Sequence, residues 1–374
     1  MSSCELKESL EVVLNFAQDE KQTVLIVDDE ENNLQLLKRT FRGKYNLLTA
    51  TNGVEALNVV KEHGDKIALI VSDQKMPVME GTEFFKQVRE THPQIVKILL
   101  TGHVDTDILV AAINDCDLFQ YILKPFEPEE LKIAVENGIS KYSMASNNKI
   151  FYNELRELFY KTIRAISNAL DTKDSYTNGH SLRVTLYSMI LAKELNLDDD
   201  YMEDIEIAGL LHDIGKIAMP KSILCKNGKL TDEEFMVMKS HPVRGEKIVI
   251  NIKKLQMISE WVKAHHEKWD GTGYPDSLKG NQIPLAGRII ALADTYDAMT
   301  STRPYRTALS HEVAINEIKR CSGSQFDPAL AEVFIRISPI IDEARKNPEA
   351  YYQRYSFLVQ NIDFKIISEA TQGN

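Results

Sequence analysis

The sequence predicts two domains, a doubly wound α/β domain followed by an all-helical domain. Two observations support this prediction. From residue 22 to about residue 140, short apolar strands alternate with amphipathic helices, which is typical of right-handed βαβ units around a parallel sheet. Beyond about Gly138 the strand pattern ends, and apolar residues recur at helical spacing to about residue 340.

Five short apolar runs predict the strands of the first domain. They cover residues 24–27, 45–50, 67–71, 96–100 and 119–123. Helical spacing between the first three strands predicts helices over 32–41 and 53–61. We therefore assign residues 22–140 to a five-stranded parallel α/β domain and residues 1–21 to a short acidic extension.

A linker helix is predicted over 141–165, and the polar stretch 146–148 within it stands where a linker is expected. Its first apolar stripe consists of Phe151, Leu155, Leu158, Thr162, Ala165 and Ala169. A second stripe consists of Phe159, Ile163, Ile166 and Leu170. Two apolar faces fit a helix packed into its own domain and equally fit a signalling helix that forms a homodimer.

Residues 150–340 form the predicted helical domain, and residues 341–374 form a predicted helical tail.

Composition narrows the class of protein. Hydrophobic residues at 43% and charged residues at 26% are typical of a globular protein, and no apolar run approaches the roughly 18 residues of a membrane span. Four cysteines without a C-x-x-C pair indicate a reducing compartment, the cytoplasm, and argue against a thiolate metal site. The net charge of −11 argues against binding to duplex nucleic acid.

Five polar residues follow the predicted strands of the first domain. Asp28, Asp29 and Asp73 come at the ends of two strands, and Thr101 and Lys124 end the next two. Ligands bind at this edge of an open α/β sheet, and three carboxylates there suit Mg²⁺. A carboxylate nucleophile, a divalent ion, a hydroxyl and an ammonium together indicate aspartyl-phosphate chemistry.

Four motifs give this domain a strong resemblance to response-regulator receiver domains, which have a flavodoxin-like fold. They are VDDE at 27–30, SDQKMP at 72–77, LTGH at 100–103 and YILKPF at 121–126. The resemblance implies that Asp73 accepts phosphate from a sensor histidine kinase. It also implies Mg²⁺ ligands at Asp28, Asp29, Asp73 and the Lys75 carbonyl, with Thr101 and Tyr121 as the switch pair and Lys124 on the phosphoryl group.

The helical domain contains a concentration of metal-binding residue types. They are His180, His212, His241, His265 and His266 together with Asp213 and Asp294. Five imidazoles and two carboxylates exceed the needs of one tetrahedral ion. They suit two ions that share a bridging carboxylate, and a nitrogen and oxygen ligand set favours Fe or Mn, with Zn as an alternative. We assign the other four histidines structural or exposed positions.

Two metal ions would polarise a phosphoryl group and activate a bridging water for phosphodiester hydrolysis. Lys216, one turn after His212, is placed to reach the scissile phosphate. Arg303 and Arg306 are spaced to contact phosphates, although either also suits a surface salt bridge. The loop 270–275 presents Tyr274 to a base or sugar, or else packs it in an ordinary turn.

This half resembles the HD-GYP branch of the HD-domain phosphohydrolases. The matching segments are DSYTNGH at 174–180, HDIGKI at 212–217, HP at 241–242, HHEKWDGTGYP at 265–275 and RIIALAD at 288–294. The family implies hydrolysis of cyclic di-GMP to linear pGpG and in some members to GMP. It implies one metal on His180, His212, Asp213 and Asp294, with Asp213 bridging to a second on His241, His265 and His266.

Two positions depart from the family pattern. Tyr176 stands where some members have a glutamate that binds a third metal, so we expect two metals. Asn227 stands where proline is more usual, and we expect no effect.

Together these features predict a response regulator in which phosphorylation of Asp73 controls cyclic di-GMP hydrolysis, with Asp213 and Lys216 as catalytic residues. One alternative is a catalytically silent cyclic-dinucleotide sensor or scaffold that contacts diguanylate cyclases through the loop around Tyr274. Another alternative is a phosphodiesterase for cyclic GMP-AMP. The motif residues recognise metal and phosphate rather than the base, so they discriminate poorly between the two purines.

Overall fold

The computed structural model describes residues 21–102, 115–173, 179–226, 228–302 and 307–356. The chain divides into two compact units, with the boundary between Tyr152 and Asn153. Within the described ranges, none of the helices combines the length and the apolar character that crossing a membrane requires.

The first unit is built on a parallel sheet of five strands. They are β1 (Thr23–Val27), β2 (Asn46–Ala50), β3 (Ile67–Asp73), β4 (Val96–Thr101) and β5 (Gln120–Leu123), in the order β2-β1-β3-β4-β5. The helices that the structure describes between the first four strands are α1 (Glu31–Phe41), α2 (Gly53–His63) and α3 (Gly81–Thr91). The predicted doubly wound α/β fold is confirmed.

Helices cover both faces of this sheet. Leu25 and Val27 of β1 pack on the side of α2 and α3, whereas Val24 and Ile26 pack on the side of α1. Because successive residues of a strand point to opposite faces, burial on both faces requires an unbroken apolar run. This explains why the strands appear in the sequence as continuous apolar segments.

The helix α4 (Pro128–Lys173) is longer than the predicted 141–165. It runs without interruption through the polar stretch 146–148, where we expected a linker. Serine and asparagine are only moderately unfavourable inside a helix, and no proline stands in this segment to stop it. The polar stretch is therefore a helical surface.

The second unit is helical, as predicted. Its helices are α5 (His180–Glu194), α6 (Asp199–Leu211), α7 (Lys221–Leu224), α8 (Asp232–Met238), α9 (His241–Val249), α10 (Gln256–Ala264), α11 (Leu285–Thr300), α12 (His311–Arg320), α13 (Pro328–Arg336), α14 (Ser338–Lys346) and α15 (Pro348–Tyr355). A short 3₁₀ helix, Ile214–Ala218, follows α6.

Helix α5 lies at the centre of this unit, since most of its side chains are buried. It packs against α6 and α11, and Tyr187 meets Tyr296 of α11 edge to face with ring centroids 5.2 Å apart. The start of the predicted tail also belongs to this core. Tyr352 and Ser356 both donate hydrogen bonds to the buried carboxylate of Glu206, at 2.5 and 2.6 Å.

Candidate metal centre

The receiver-like unit gathers its polar residues at the carboxyl edge of the sheet. Lys124 follows β5, and its Nζ lies 2.8 Å from Asp73 Oδ1 and 3.2 Å from Asp28 Oδ2. Asn33, which the sequence analysis did not single out, donates to both oxygens of Asp28. The sheet order makes this possible, because β1 and β3 are neighbours. The predicted phosphoacceptor Asp73, the carboxylate of Asp28 and the ammonium of Lys124 therefore meet at one point.

Charges at this edge depend on burial and on the lysine. Burial raises the pKa of Asp73 despite the opposing effect of Lys124. Burial alone would lower the pKa of Lys124, but its hydrogen bond to Asp73 raises it. Of the other predicted residues, Thr101 is buried whereas Asp29, Lys75 and Tyr121 are exposed.

In the helical unit, the predicted metal ligands lie at the ends of several elements. His180 is the first residue of α5, and His241 is the first residue of α9. His212 and Asp213 follow α6, His265 and His266 follow α10, and Asp294 lies within α11. Five elements thus bring seven residues that are far apart in sequence to one place.

Asp213 stands at the centre of this cluster. One of its oxygens, Oδ1, lies 3.2 Å from His241 Nε2 and 3.9 Å from His265 Nε2. The other, Oδ2, lies 3.4 Å from His212 Nε2 and 3.8 Å from His180 Nε2. Its two oxygens therefore face different sets of imidazoles, as a bridging carboxylate requires.

The ligand atoms of the described residues fall into two compact groups. Each group keeps its ligand atoms within 4.8 Å of one another. The groups are Asp213 with His241, His265 and His266, and His180 with His212 and Asp294. This arrangement is compatible with the division implied by the family resemblance, in which Asp213 joins the two sets.

Hydrogen bonds orient four of the imidazoles toward the cluster. The Nδ1 atoms of His212, His241 and His265 donate to backbone carbonyls at 2.7, 2.8 and 2.5 Å. His180 Nδ1 lies 2.7 Å from Asp297 Oδ2. A ring that donates through Nδ1 keeps the Nε2 lone pair for a metal, and metal-binding histidines usually have such a partner.

His212 provides the most direct test of whether this pocket fits a metal. Its side chain is completely buried, and its Nε2 has no hydrogen-bond partner. Buried polar atoms without a partner are rare and need an explanation. A cation between His212, His180 and Asp294 satisfies this nitrogen, so the residues present fit a metal ion.

The charge states of His265 and His266 also suit metal binding. Burial and the neighbouring His241 lower the pKa of His266 to about 3, and burial and the other imidazoles lower that of His265. Both rings are thus neutral, as ligation requires. Burial alone would raise the pKa of Asp213, but Lys216 and His212 hold it well below its usual range.

Asp297 and Arg183 are site residues that sequence reasoning missed. Arg183 donates to both oxygens of Asp297, at 2.6 and 3.0 Å, and Asp297 in turn holds His180. Burial alone would lower the pKa of His180, but hydrogen bonds with Asp294 and Asp297 raise it to about 10. The signal available was the spacing of Asp294 and Asp297, three residues apart on one face of α11.

The predicted substrate residues lie beside the cluster where they are described. Lys216 contacts Asp213 Oδ2, and the ring of Tyr274 lies 4.9 Å from that of His266. Arg303 and Arg306 lie outside the described residues, as do His103, Tyr176 and Asn227.

Glu267 is a further residue that the sequence did not reveal. Its buried carboxylate accepts hydrogen bonds from the backbone N–H groups of Asp276 and Leu278, at 2.7 and 3.1 Å. The loop closes tightly, because a Cβ at Gly273 would lie 2.3 Å from the nitrogen of Lys268. Tyr274 is thus presented by a loop fixed to the residue that follows His266.

Two family models match the chain, in agreement with the two units. The response regulator receiver domain matches residues 24–136, and the HD domain matches residues 164–330.

Similar proteins extend over both domains. A cyclic di-GMP phosphodiesterase of Thermotoga maritima is 31% identical over 343 residues, covering 86% of this chain and 92% of that protein. The cyclic di-GMP phosphodiesterase response regulator RpfG of Xanthomonas campestris is 31% identical, covering 84% of this chain and 87% of that protein. A 3'3'-cGAMP-specific phosphodiesterase 2 of Vibrio cholerae is 38% identical over 49% of this chain and 35% of its own length.

A receiver domain followed by an HD domain defines a class of signalling proteins. The chain belongs to the family of response regulators that carry a C-terminal HD domain.

Proposed function

We propose that this response regulator is a metal-dependent phosphodiesterase that hydrolyses cyclic di-GMP to linear pGpG, with GMP as a possible further product. The observation that carries the proposal is the convergence of five histidines and two aspartates, with Asp213 at the centre and with the buried Nε2 of His212 making no hydrogen bond. Iron or manganese suits this set of nitrogen and oxygen ligands.

When bound, two divalent ions supply Lewis-acid activation of water and of the phosphodiester. The residues of the chain prepare the site for this. Asp213 and Asp294 are ionised at neutral pH because their pKa values are lowered. Lys216, held beside Asp213, offers an ammonium to a phosphoryl oxygen. Tyr274 places an aromatic face next to His266, where a base or ribose can pack.

The choice of cyclic di-GMP rests on the relatives. Two relatives named for cyclic di-GMP resemble this chain over both domains. Over about half of the chain, the relatives include proteins named for cyclic di-GMP as well as one named for cyclic GMP-AMP. Cyclic GMP-AMP is the second candidate substrate. Both ligands carry the same phosphodiester backbone, so Lys216 and the metal cluster serve either.

The receiver domain supplies the proposed control. A sensor histidine kinase phosphorylates Asp73, with Mg²⁺ held by Asp28, Asp29, Asp73 and the Lys75 carbonyl. Lys124 then contacts the phosphoryl group, and Thr101 and Tyr121 act as the switch pair. The support for this is the meeting of Asp28, Asp73 and Lys124 at the sheet edge.

A second copy of the chain is the proposed partner for the outer face of α4. Phe151, Leu155 and Leu158 are 63%, 53% and 62% exposed there. The opposite face of the helix, with Tyr160 and Ile163, is buried in the helical unit. An exposed apolar stripe of this kind is typical of a helix–helix interface.

Hydrolysis assays on the metal-loaded full chain test the proposal. Cyclic di-GMP and cyclic GMP-AMP are offered separately and in competition, with Asp213→Ala as the control. We expect cyclic di-GMP to be cleaved faster, and Asp213→Ala to lose all turnover. Preference for cyclic GMP-AMP would change the substrate. Tight binding of either ligand without turnover would instead indicate a sensor or scaffold, with a diguanylate cyclase as the partner to seek.

A further inference from the structure

The segment that carries Lys216 depends on cations from other elements. Lys216 lies in the 3₁₀ helix Ile214–Ala218, directly after Asp213. Lys173 Nζ donates to the carbonyls of Ile217 and Met219, at 2.7 and 3.3 Å. Arg244 Nη1 donates to the carbonyl between them, that of Ala218, at 3.1 Å. Three successive carbonyls are therefore held by two side chains.

These bonds matter because the end of a helix leaves its last carbonyls without partners. Positive side chains near a helix C-terminus satisfy such carbonyls and interact favourably with their partial negative charge. A 3₁₀ helix of five residues has little internal stability. The direction of the Lys216 backbone is thus set by Lys173 and Arg244 as well as by the local chain.

Lys173 differs from Arg244 in the element it belongs to. Arg244 is on α9, one turn after the predicted ligand His241. Lys173 is the last residue of α4, the helix whose first residue, Pro128, belongs to the receiver unit. Its bonds connect the end of this long helix directly to the segment beside the metal centre.

The same turn of α4 makes a second contact near the metal centre. The buried carboxylate of Asp171 accepts hydrogen bonds from Ser181 Oγ at 2.8 Å and from the Ser181 N–H at 3.3 Å. Ser181 follows His180 at the beginning of α5. Two residues of one turn therefore hold the segments that carry His180 and Lys216.

We propose that Lys173 is a positioning residue for Lys216, and that the last turn of α4 sets the geometry of both sides of the phosphodiesterase site. This inference rests on the proposed function, because it assigns the reaction to Lys216. It adds a residue outside the cluster on which the rate of hydrolysis depends. It also identifies the last turn of α4 as the place where a displacement of this helix would affect the site.

The experiment compares three variants of the metal-loaded full chain with the wild type. Lys173→Met removes the donor, Lys173→Arg keeps a cation of similar reach, and Lys221→Met removes a charge from an exposed site on the nearby α7. The first measurement is hydrogen–deuterium exchange of the peptide covering residues 214–219. The second separates kcat from KM for cyclic di-GMP.

We expect faster exchange of this peptide in Lys173→Met, together with a kcat lower by about tenfold to 100-fold, the loss that follows a misplacement of about 1 Å. Lys173→Arg should restore both quantities, and Lys221→Met should change neither. Rescue of kcat by Lys173→Arg, with metal content at the wild-type level, distinguishes a loss of positioning from a general structural defect.

Unchanged exchange in Lys173→Met overturns the inference whether or not the protein hydrolyses cyclic di-GMP. Faster exchange with unchanged kcat in an active wild type also overturns it and leaves the proposed function intact. A wild type that is inactive with every metal and substrate refutes the proposed function, and with it the catalytic part of this inference.

Discussion

His180 owes its orientation to a residue outside the ligand set. Asp297 holds His180 Nδ1 at 2.7 Å and is itself held by Arg183. A carboxylate behind a metal-binding histidine fixes the ring and raises its basicity, and its loss typically costs about 10–100-fold in metal affinity. We expect Asp297→Asn to weaken binding of one metal by this factor and to leave the other unchanged.

Titration of metal-free protein with Mn²⁺ measures this effect. The control is Asp199→Asn, an exposed aspartate in the first turn of α6. Equal weakening of both metals by Asp297→Asn would mean that Asp297 supports the fold of the unit rather than the orientation of His180.

Gly215 is required by close packing rather than by an unusual backbone angle. A Cβ at this position would lie 1.9 Å from the carbonyl oxygen of His241 and 2.6 Å from the nitrogen of Gly245. Gly215→Ala must therefore push α9, with the predicted ligand His241, away from Asp213. Overpacking of this kind costs about 1–3 kcal/mol.

Thermal unfolding and metal content should both fall in Gly215→Ala. Gly102→Ala serves as the control, because a Cβ at Gly102 meets no atom within 4 Å. Wild-type melting and full metal content in Gly215→Ala would show that the short distance between this turn and α9 is not needed.

At the scale of elements, a buried glutamate attaches α4 to the helical unit. Glu203 of α6 accepts from Arg156 Nη2 at 2.5 Å and from Lys254 Nζ at 3.1 Å, and Tyr160 also donates to it. Burial alone would raise the pKa of Glu203, but Tyr160 and Lys254 lower it below its usual value. The carboxylate is therefore more stable ionised in the folded chain than in the unfolded chain.

A lowered pKa gives a defined pH dependence. The contribution of Glu203 to stability is complete above its unfolded pKa of about 4.3 and is lost as the pH falls through the folded pKa. We expect Glu203→Gln to lower the free energy of unfolding at pH 7 by about 1–3 kcal/mol and to flatten its decline below about pH 4.3. Urea unfolding from pH 3 to 7 measures both, with exposed Glu260→Gln as the control. An unchanged slope would contradict this account of Glu203.

The predicted and observed elements together show which features of the fold local sequence patterns predict. The strands were predicted nearly to their observed ends because burial on both faces requires apolar runs. The full extent of α4, Pro128–Lys173, was missed because the polar stretch 146–148 resembles a linker when its neighbours are not considered. Packing of α15 was missed because it depends on Tyr352 meeting Glu206, which is 146 residues away.

Local sequence patterns were also insufficient to predict the whole candidate site. The predicted metal ligands were selected from the sequence because their residue types and motifs are specific. Asp297, Glu267 and Lys173 were not selected, since a carboxylate or ammonium acquires its role only from a partner brought close by the fold. The sequence therefore indicated the candidate reacting groups, and the structure was needed to find the residues that hold them.

At the scale of the whole molecule, the outer face of α4 predicts a dimer. Replacing Leu155 and Leu158 together by glutamate places two charges on this exposed apolar stripe. We expect light scattering to give a dimer for the wild type and a monomer for the double variant. The control makes the same exchange at Val313 and Ile340, which are exposed apolar residues on α12 and α14. A double variant that remains dimeric would exclude this face as the interface.

The central claim is that two metals held around Asp213 make this response regulator a phosphodiesterase. Its most direct test is hydrolysis of cyclic di-GMP by full-length protein that has been stripped with a chelator and then titrated with Mn²⁺ or Fe²⁺ without oxygen. The account predicts no turnover in the stripped protein and recovery that saturates at about two ions per chain. Full turnover in the stripped protein, or none after two ions have bound, would contradict it.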